Sequence, residues 1–214
     1  MHFKKTAGLL ILLCSCLLFA ACSEENPGTQ NEEAVSTEDK NKEAVEAVLK
    51  TELNVPNEEY VEVVKNIDKK MTDIGSGSPE ANEVVDGVPS GVSDEWLAYE
   101  DLVKEMYGPY FTEDAFENLI PQALAFRYHY GYLGFDEDVQ YKMNVSDIQV
   151  TKSENENSPN HYAFTSQVEY TNNTGDISQH EVKGIAILVE PGKMGTFEIR
   201  DDGGLADKVM FDQQ

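Results

Sequence analysis

The segment "AFRYHYGYLGF", residues 125–135, packs five aromatic rings, one arginine and one histidine into eleven positions. Those residue types suggest two kinds of chemistry. His129 could act as a general base if a carboxylate oriented its ring, and the many Asp and Glu residues make such a partner easy to find; a structural or exposed histidine is the plain alternative. Arg127 is one of only two arginines, with Arg200, in a chain that otherwise uses lysine. Its planar fork could hold an anionic group among the tyrosines, or it could serve a structural ion pair or stack on a ring. Around these two, Trp96, Tyr99, Tyr128 and Tyr132 are candidate walls of a ligand pocket. Eleven of the chain's 20 aromatics fall between Trp96 and Phe135. That density makes either a filled core with hydroxyls at its rim or a cavity lined by rings, and the sequence leaves both open. No nucleophile elbow, HExxH, phosphate loop or GxGxxG is present. The acidic clusters at 136–140 and 201–204 lack the spacing of a calcium loop, and His161 and His180 do not spell a metal site. No catalytic residue set, metal or cofactor is therefore expected.

The N-terminus carries a different signal. Lys4 and Lys5 precede an apolar run from Ala7 to Ala21 that ends in Ala20-Ala21. This is the anatomy of a secretory leader, and it is short for a transmembrane helix. The stretch "LLFAAC" ending at Cys22 resembles the lipobox of bacterial lipoproteins, in which the cysteine is acylated. It departs from the commonest pattern at Phe19, and Cys16 after "LLCS" is a second, weaker cleavage choice. The resemblance implies a leader over 1–21, lipidation of Cys22 and anchoring on the extracytoplasmic side of the membrane; the alternative is an ordinary leader with an incidental cysteine. Two acyl chains anchor stably where one is marginal. Cys14, Cys16 and Cys22 are the only cysteines. Lipidation would thus leave the mature domain without thiol or disulfide, which a domain of this size does not need.

The chain carries 16 Lys+Arg against 40 Asp+Glu, a net charge of −24, and losing Lys4 and Lys5 with the leader would make it −26. Such a surface repels nucleic acid and anionic lipid headgroups and attracts cations. Residues 22–36 are acidic and nearly devoid of large apolar groups, the composition of a flexible tether.

The elements that must position the aromatic segment follow from periodicity. Ala44, Val45, Val48 and Leu49 have helical spacing, as do Tyr60, Val63, Val64, Ile67 and Met71 after a cap at Asn57. Residues 75–94 are rich in Gly, Ser, Pro and acid and read as a long loop. Ser93 or Asp94 then caps a helix with Trp96, Tyr99, Val103, Met106 and Tyr107 inward, and Thr112 caps a short one carrying Ala115, Phe116, Leu119 and Ile120. "PQALA" leads into the aromatic segment, which is expected to be helical up to Gly134. Beyond 138 the period falls to two. Tyr141, Met143 and Val145 lie on one parity and Ile148 and Val150 on the other, which places a bulge near Ser146-Asp147. "HYAFTSQVEY", "EVKGIAILVE" and "GTFEIR" follow as strands joined by turns at "NNTGD" and "PGK". Helices first and a meander of about four antiparallel strands after them make an α+β domain over 37–214, with helices packed on one face of the sheet.

This element order resembles the nuclear-transport-factor-2-like fold, in which a curved antiparallel sheet wraps a few helices into a cone that often encloses a pocket. The chain also resembles small lipoproteins of low-GC Gram-positive bacteria in the acidic-glycine turn of "FEIRDDGGL". The resemblance covers roughly 95–207 and implies a fold shared by enzymes and by plain binding modules, so it does not select a function. Three readings follow: a membrane-anchored, non-enzymatic module binding a small ligand or an envelope protein; a hydrolase or isomerase-like enzyme using the same pocket with His129 or a buried carboxylate as base; and an envelope interaction or maturation factor working through the 75–94 loop and the sheet face. An enzyme needs a titratable group deep in the pocket, whereas a binding module needs only the rings.

Overall fold

Val45, Val48, Leu49 and Leu53 fall at i, i+3, i+4 and i+8, and in the computed structural model they form the buried stripe of helix α1 (Thr37–Leu53). The structure describes residues 36–74, 84–85, 88–119, 122, 124–132 and 141–212, all within one compact unit. Ser36 caps α1 by accepting the Asp39 N–H at 3.1 Å, and Glu38 and Asp39 in the first turn complement the helix dipole. After a cis Val55–Pro56 bond, Asn57 accepts the Tyr60 N–H at 2.8 Å and opens α2 (Glu58–Ile74). The expected α2 stripe buries only at its start: Tyr60 and Val64 are core, whereas Met71 is 44% exposed.

Within the expected 75–94 loop, the described residues carry regular structure. Two dipeptide strands, β1 (Val84–Val85) and β2 (Val88–Pro89), pair antiparallel, and a 3-10 turn (Ser90–Val92) leads into α3 (Ser93–Tyr107). Neither Ser93 nor Asp94 caps α3; Val92 holds that position without a side-chain bond. Thr112 does cap α4 (Glu113–Phe116), accepting the Ala115 N–H at 3.4 Å. The helix stops there, so Leu119 reaches the core from a turn instead.

The second half is an open four-stranded antiparallel sheet in the order β3 (Lys142–Lys152), β4 (His161–Thr171), β5 (Ile177–Glu190), β6 (Lys193–Asp201). This is the α+β class read from the change of period. The β3–β4 register shifts between Ser146 and Gln149, with Asp147 at φ 49°, where the parity switch places the bulge. Tyr162, Phe164, Val168 and Tyr170 of β4 share the buried face. Phe164 stacks on Phe197 of β6, centroids 5.1 Å apart and planes 12° from parallel. Gly184 lies beneath that stack, and any Cβ there would overlap the Phe164 ring and the Glu198 carbonyl.

The helical half fastens to both edges of the sheet. Val55 exchanges backbone bonds of 3.0 and 2.9 Å with Met143 on β3, and Thr112 donates to the Met194 carbonyl of β6 at 3.0 Å. Asn41, 6% exposed on α1, donates to the Tyr162 hydroxyl and accepts the Gly192 N–H. The acidic-glycine turn does more than end a strand. Gly203 and Gly204 take positive φ, and Asp202 accepts the Gly204 and Ala206 N–H groups. It thereby starts a fifth helix, α5 (Leu205–Asp212), which a strand-and-turn reading of this region omits.

Candidate functional site

A cavity of about 510 Å³ opens between α1, the segment 111–127 and β6, within the range of small-molecule sites. Val48 and Glu52 reach it from α1 and Tyr107 from the end of α3. Phe111, Ala115 and Leu119, together with Phe197 and Ile199 of β6, supply its apolar wall. Arg127, Gln122, Asn118 and Glu198 supply the polar part of its wall.

Glu52 is the group that stands out. It occupies a core position of the α1 stripe, three residues after Leu49 and four after Val48, and is 3% exposed. The Tyr107 hydroxyl donates a hydrogen bond to its Oε1. The Phe126 N–H donates to the same oxygen at 3.0 Å and the Arg127 N–H to Oε2 at 3.0 Å. Phe126 adopts φ 54°, a left-handed conformation that a bulky residue avoids. The carboxyl thus receives two consecutive backbone N–H groups. Burial raises its pKa strongly; the Tyr107 bond, the two N–H groups and the Arg127 charge oppose this only in part, leaving it at about 7. Among the described residues Glu52 has no ion-pair partner. Oε1 accepts two bonds and Oε2 one, so Oε2 keeps acceptor capacity.

This arrangement corrects the helix expected over the aromatic segment. Phe126 turns left-handed and residues Arg127–Tyr132 form a 3-10 helix, opened by a 2.9 Å bond from the His129 N–H to the Phe126 carbonyl. The demand of a buried carboxyl for N–H donors decides this against helical periodicity.

The sequence-predicted site residues separate. Arg127 lines the cavity, but its side chain is exposed and lies 5.8 Å from the Tyr128 ring centre; its backbone holds the buried contact. His129 is fully buried and outside the cavity wall. Its Nδ1 accepts the Asn57 N–H at 3.4 Å and its Nε2 bonds the Thr51 carbonyl at 3.0 Å. Burial lowers its pKa to about 4, so it is a neutral structural histidine and no general base. Tyr128 is buried as well and donates to Asp202 at 3.1 Å, which ties the 3-10 helix to the cap of α5. Tyr99 packs edge-on against Tyr60, and Trp96 lies on Tyr99 with its indole N–H on Glu100; neither lines the cavity. The side chain of Tyr132, Cys22 and the expected tether up to residue 35 lie outside the described residues; its last residue, Ser36, caps α1. Arg200 pairs with Glu198 at 3.2 Å on the surface rather than with Asp201 or Asp202.

Glu52 is the site residue that sequence reasoning missed. Its signal is an acid at a core position of an apolar stripe, flanked by Leu49 and Leu53. Among the described residues no cluster of His, Cys, Asp and Glu could hold a metal ion, and no helix is long and apolar enough to cross a membrane. Comparison with protein-family models, curated proteins and solved structures returned no match to this chain, so the chemistry of its own cavity carries the functional reading.

Proposed function

We propose that this chain is an extracytoplasmic lipoprotein, anchored through Cys22, whose domain binds a small, mainly apolar ligand in the cavity between α1, the 111–127 segment and β6. The single observation that supports this is a cavity of about 510 Å³ with apolar walls and one buried carboxyl. A filled core would not leave such a volume beside a desolvated acid. The walls combine apolar side chains for affinity with a few polar groups for orientation, the usual division of labour in small-molecule sites.

Saturation-transfer NMR with a set of small alicyclic fragments tests the reading. The native chain gives signals that Ala115→Trp, which fills the cavity from α4, removes; fragments bound equally by both proteins would refute it. The anchor is tested separately. Mass spectrometry of the peptide carrying Cys22, from the native chain isolated with membranes, should show the added mass of acyl groups, and an unmodified Cys22 excludes lipidation at this residue.

One observation favours a second reading, an enzyme of the isomerase or hydrolase type. A carboxyl that titrates at about 7 beside a cavity suits proton transfer at neutral pH. Glu52 would exchange the proton, and Tyr107, whose hydroxyl stays protonated because burial raises its pKa, would hold the carboxyl in place. The signature of this reading is turnover of a bound compound by the native chain that Glu52→Gln abolishes.

A further inference from the structure

We infer that the cavity selects a small organic cation: an apolar body against Val48, Phe111, Leu119 and Phe197, ending in an ammonium group that meets the carboxylate of Glu52. Cation selection presupposes the ligand-binding reading above and adds the charge of the ligand to it.

A buried carboxylate that is not ion-paired is costly; among the described residues no Lys, Arg or His pairs with Glu52, and the exposed Arg127 charge offsets its burial only in part. Three protein donors hold the carboxyl in place, while Oε2 keeps acceptor capacity. An ammonium group there supplies both the missing charge and the missing donor.

The remaining charges agree. The groups facing Glu52 are the phenols of Tyr60 from α2, of Tyr99 and Tyr107 from α3 and of Tyr128 from the 3-10 helix, all with pKa raised by burial and hence neutral. His129, on the same 3-10 helix, is neutral above about 4. Arg127 and Glu198 contribute one charge of each sign to the cavity wall. Their side chains are solvent-exposed and therefore screened. Glu198 is moreover offset by Arg200 at 3.2 Å, so with Glu52 ionised the buried charge of the wall is the negative one of its carboxylate. The chain's overall charge of −24 draws cations toward any cleft. An anionic ligand held by Arg127 would instead have to approach an acidic protein and face a buried carboxyl.

Titration calorimetry on the full chain in nonionic detergent, with micelles alone as blank, tests this with three probes of one shape: cyclohexylmethylamine, cyclohexylmethanol and cyclohexanecarboxylate. At pH 8 the amine should bind about tenfold or more tighter than the alcohol, and the carboxylate weakest. In Glu52→Gln the amine should bind no more tightly than the alcohol. On the native chain, lowering the pH from 8 to 5.5 should weaken the amine about tenfold or more as Glu52 protonates, with the alcohol unaffected. The amine keeps its charge over this range, so the native chain decides the question alone if the variant fails to fold. Equal binding of amine and alcohol, or tightest binding of the carboxylate, overturns cation selection and leaves the cavity reading standing. Binding of none of the three overturns both.

Discussion

Glu52→Gln keeps the length and shape of the side chain and removes its titration, which isolates the energetic consequence of burying this carboxyl. An acid whose pKa is raised on folding binds its proton more tightly in the folded state. Its contribution to stability is therefore complete below the unfolded value of 4.5 and is lost as pH rises to about 7. At about 1.4 kcal/mol per pH unit the loss is about 3 kcal/mol. His129 works in the opposite sense. Its pKa is lowered from 6.5 to about 4, so its contribution is complete above 6.5 and is lost as pH falls toward 4. Between about 4.5 and 6.5 the two slopes oppose each other, and the native profile conceals both. The variant uncovers them. The introduced amide can still accept from Tyr107 and Phe126 through its oxygen, but its N–H₂ would face the Arg127 N–H, a donor against a donor, at about 1–3 kcal/mol. The variant should therefore be less stable than the native chain at about pH 4.5. It should then gain about 3 kcal/mol on it by about pH 7.5, so that the two profiles meet or cross near neutrality. Urea unfolding followed by the fluorescence of Trp96, the only tryptophan, at intervals across that range measures this. A constant offset between the two proteins over the range would show that Glu52 titrates at its ordinary value, and the account of the site would fail.

Gly184→Ala should destabilise the domain by about 1–3 kcal/mol in urea unfolding, because the new methyl group overlaps the Phe164 ring and a strand carbonyl. Asp147 is exposed at the β3 bulge with φ 49°, so Asp147→Val should cost about 1–2 kcal/mol while Asp147→Gly is close to neutral; equal effects of the two would refute the left-handed geometry. In NMR, the ring protons of His129 should not pass through the large shift of imidazole protonation between pH 8 and pH 5, and a full transition near its ordinary value of 6.5 would contradict its burial.

The reach of the sequence differs between the fold and the site. The parity switch between Val145 and Ile148 locates the bulge to within a residue, because side-chain alternation in a strand has a period of two and no neighbour can alter it. The stripe on α1 and the caps at Asn57 and Thr112 are equally local, as each depends on residues three or four positions apart. The aromatic segment departs from its expected helix for the opposite reason. Its backbone is set by Glu52, more than seventy residues earlier, which draws in the Phe126 and Arg127 N–H groups, and no local pattern encodes that demand. The cap of the helix after Gly204 is local too, with Asp202 accepting the Ala206 N–H, but the helix is only eight residues long and follows two glycines, too short a pattern for periodicity to show.

The same division applies to the chemistry. Sequence alone determined the charge, the confinement of all three cysteines to the first 22 residues, the helices-then-sheet order and the gathering of rings after Trp96, since all of these are properties of composition or of near neighbours. Which polar groups face the cavity was decided by tertiary packing. His129 turned inward to the Thr51 carbonyl, the Arg127 side chain stayed in water, and Glu52 lost its solvent when α1 closed against the 3-10 segment. Desolvation, which set the pKa values of Glu52 and His129 apart from their ordinary ones, is a property of the surroundings in space, and the chain acquires it only on folding.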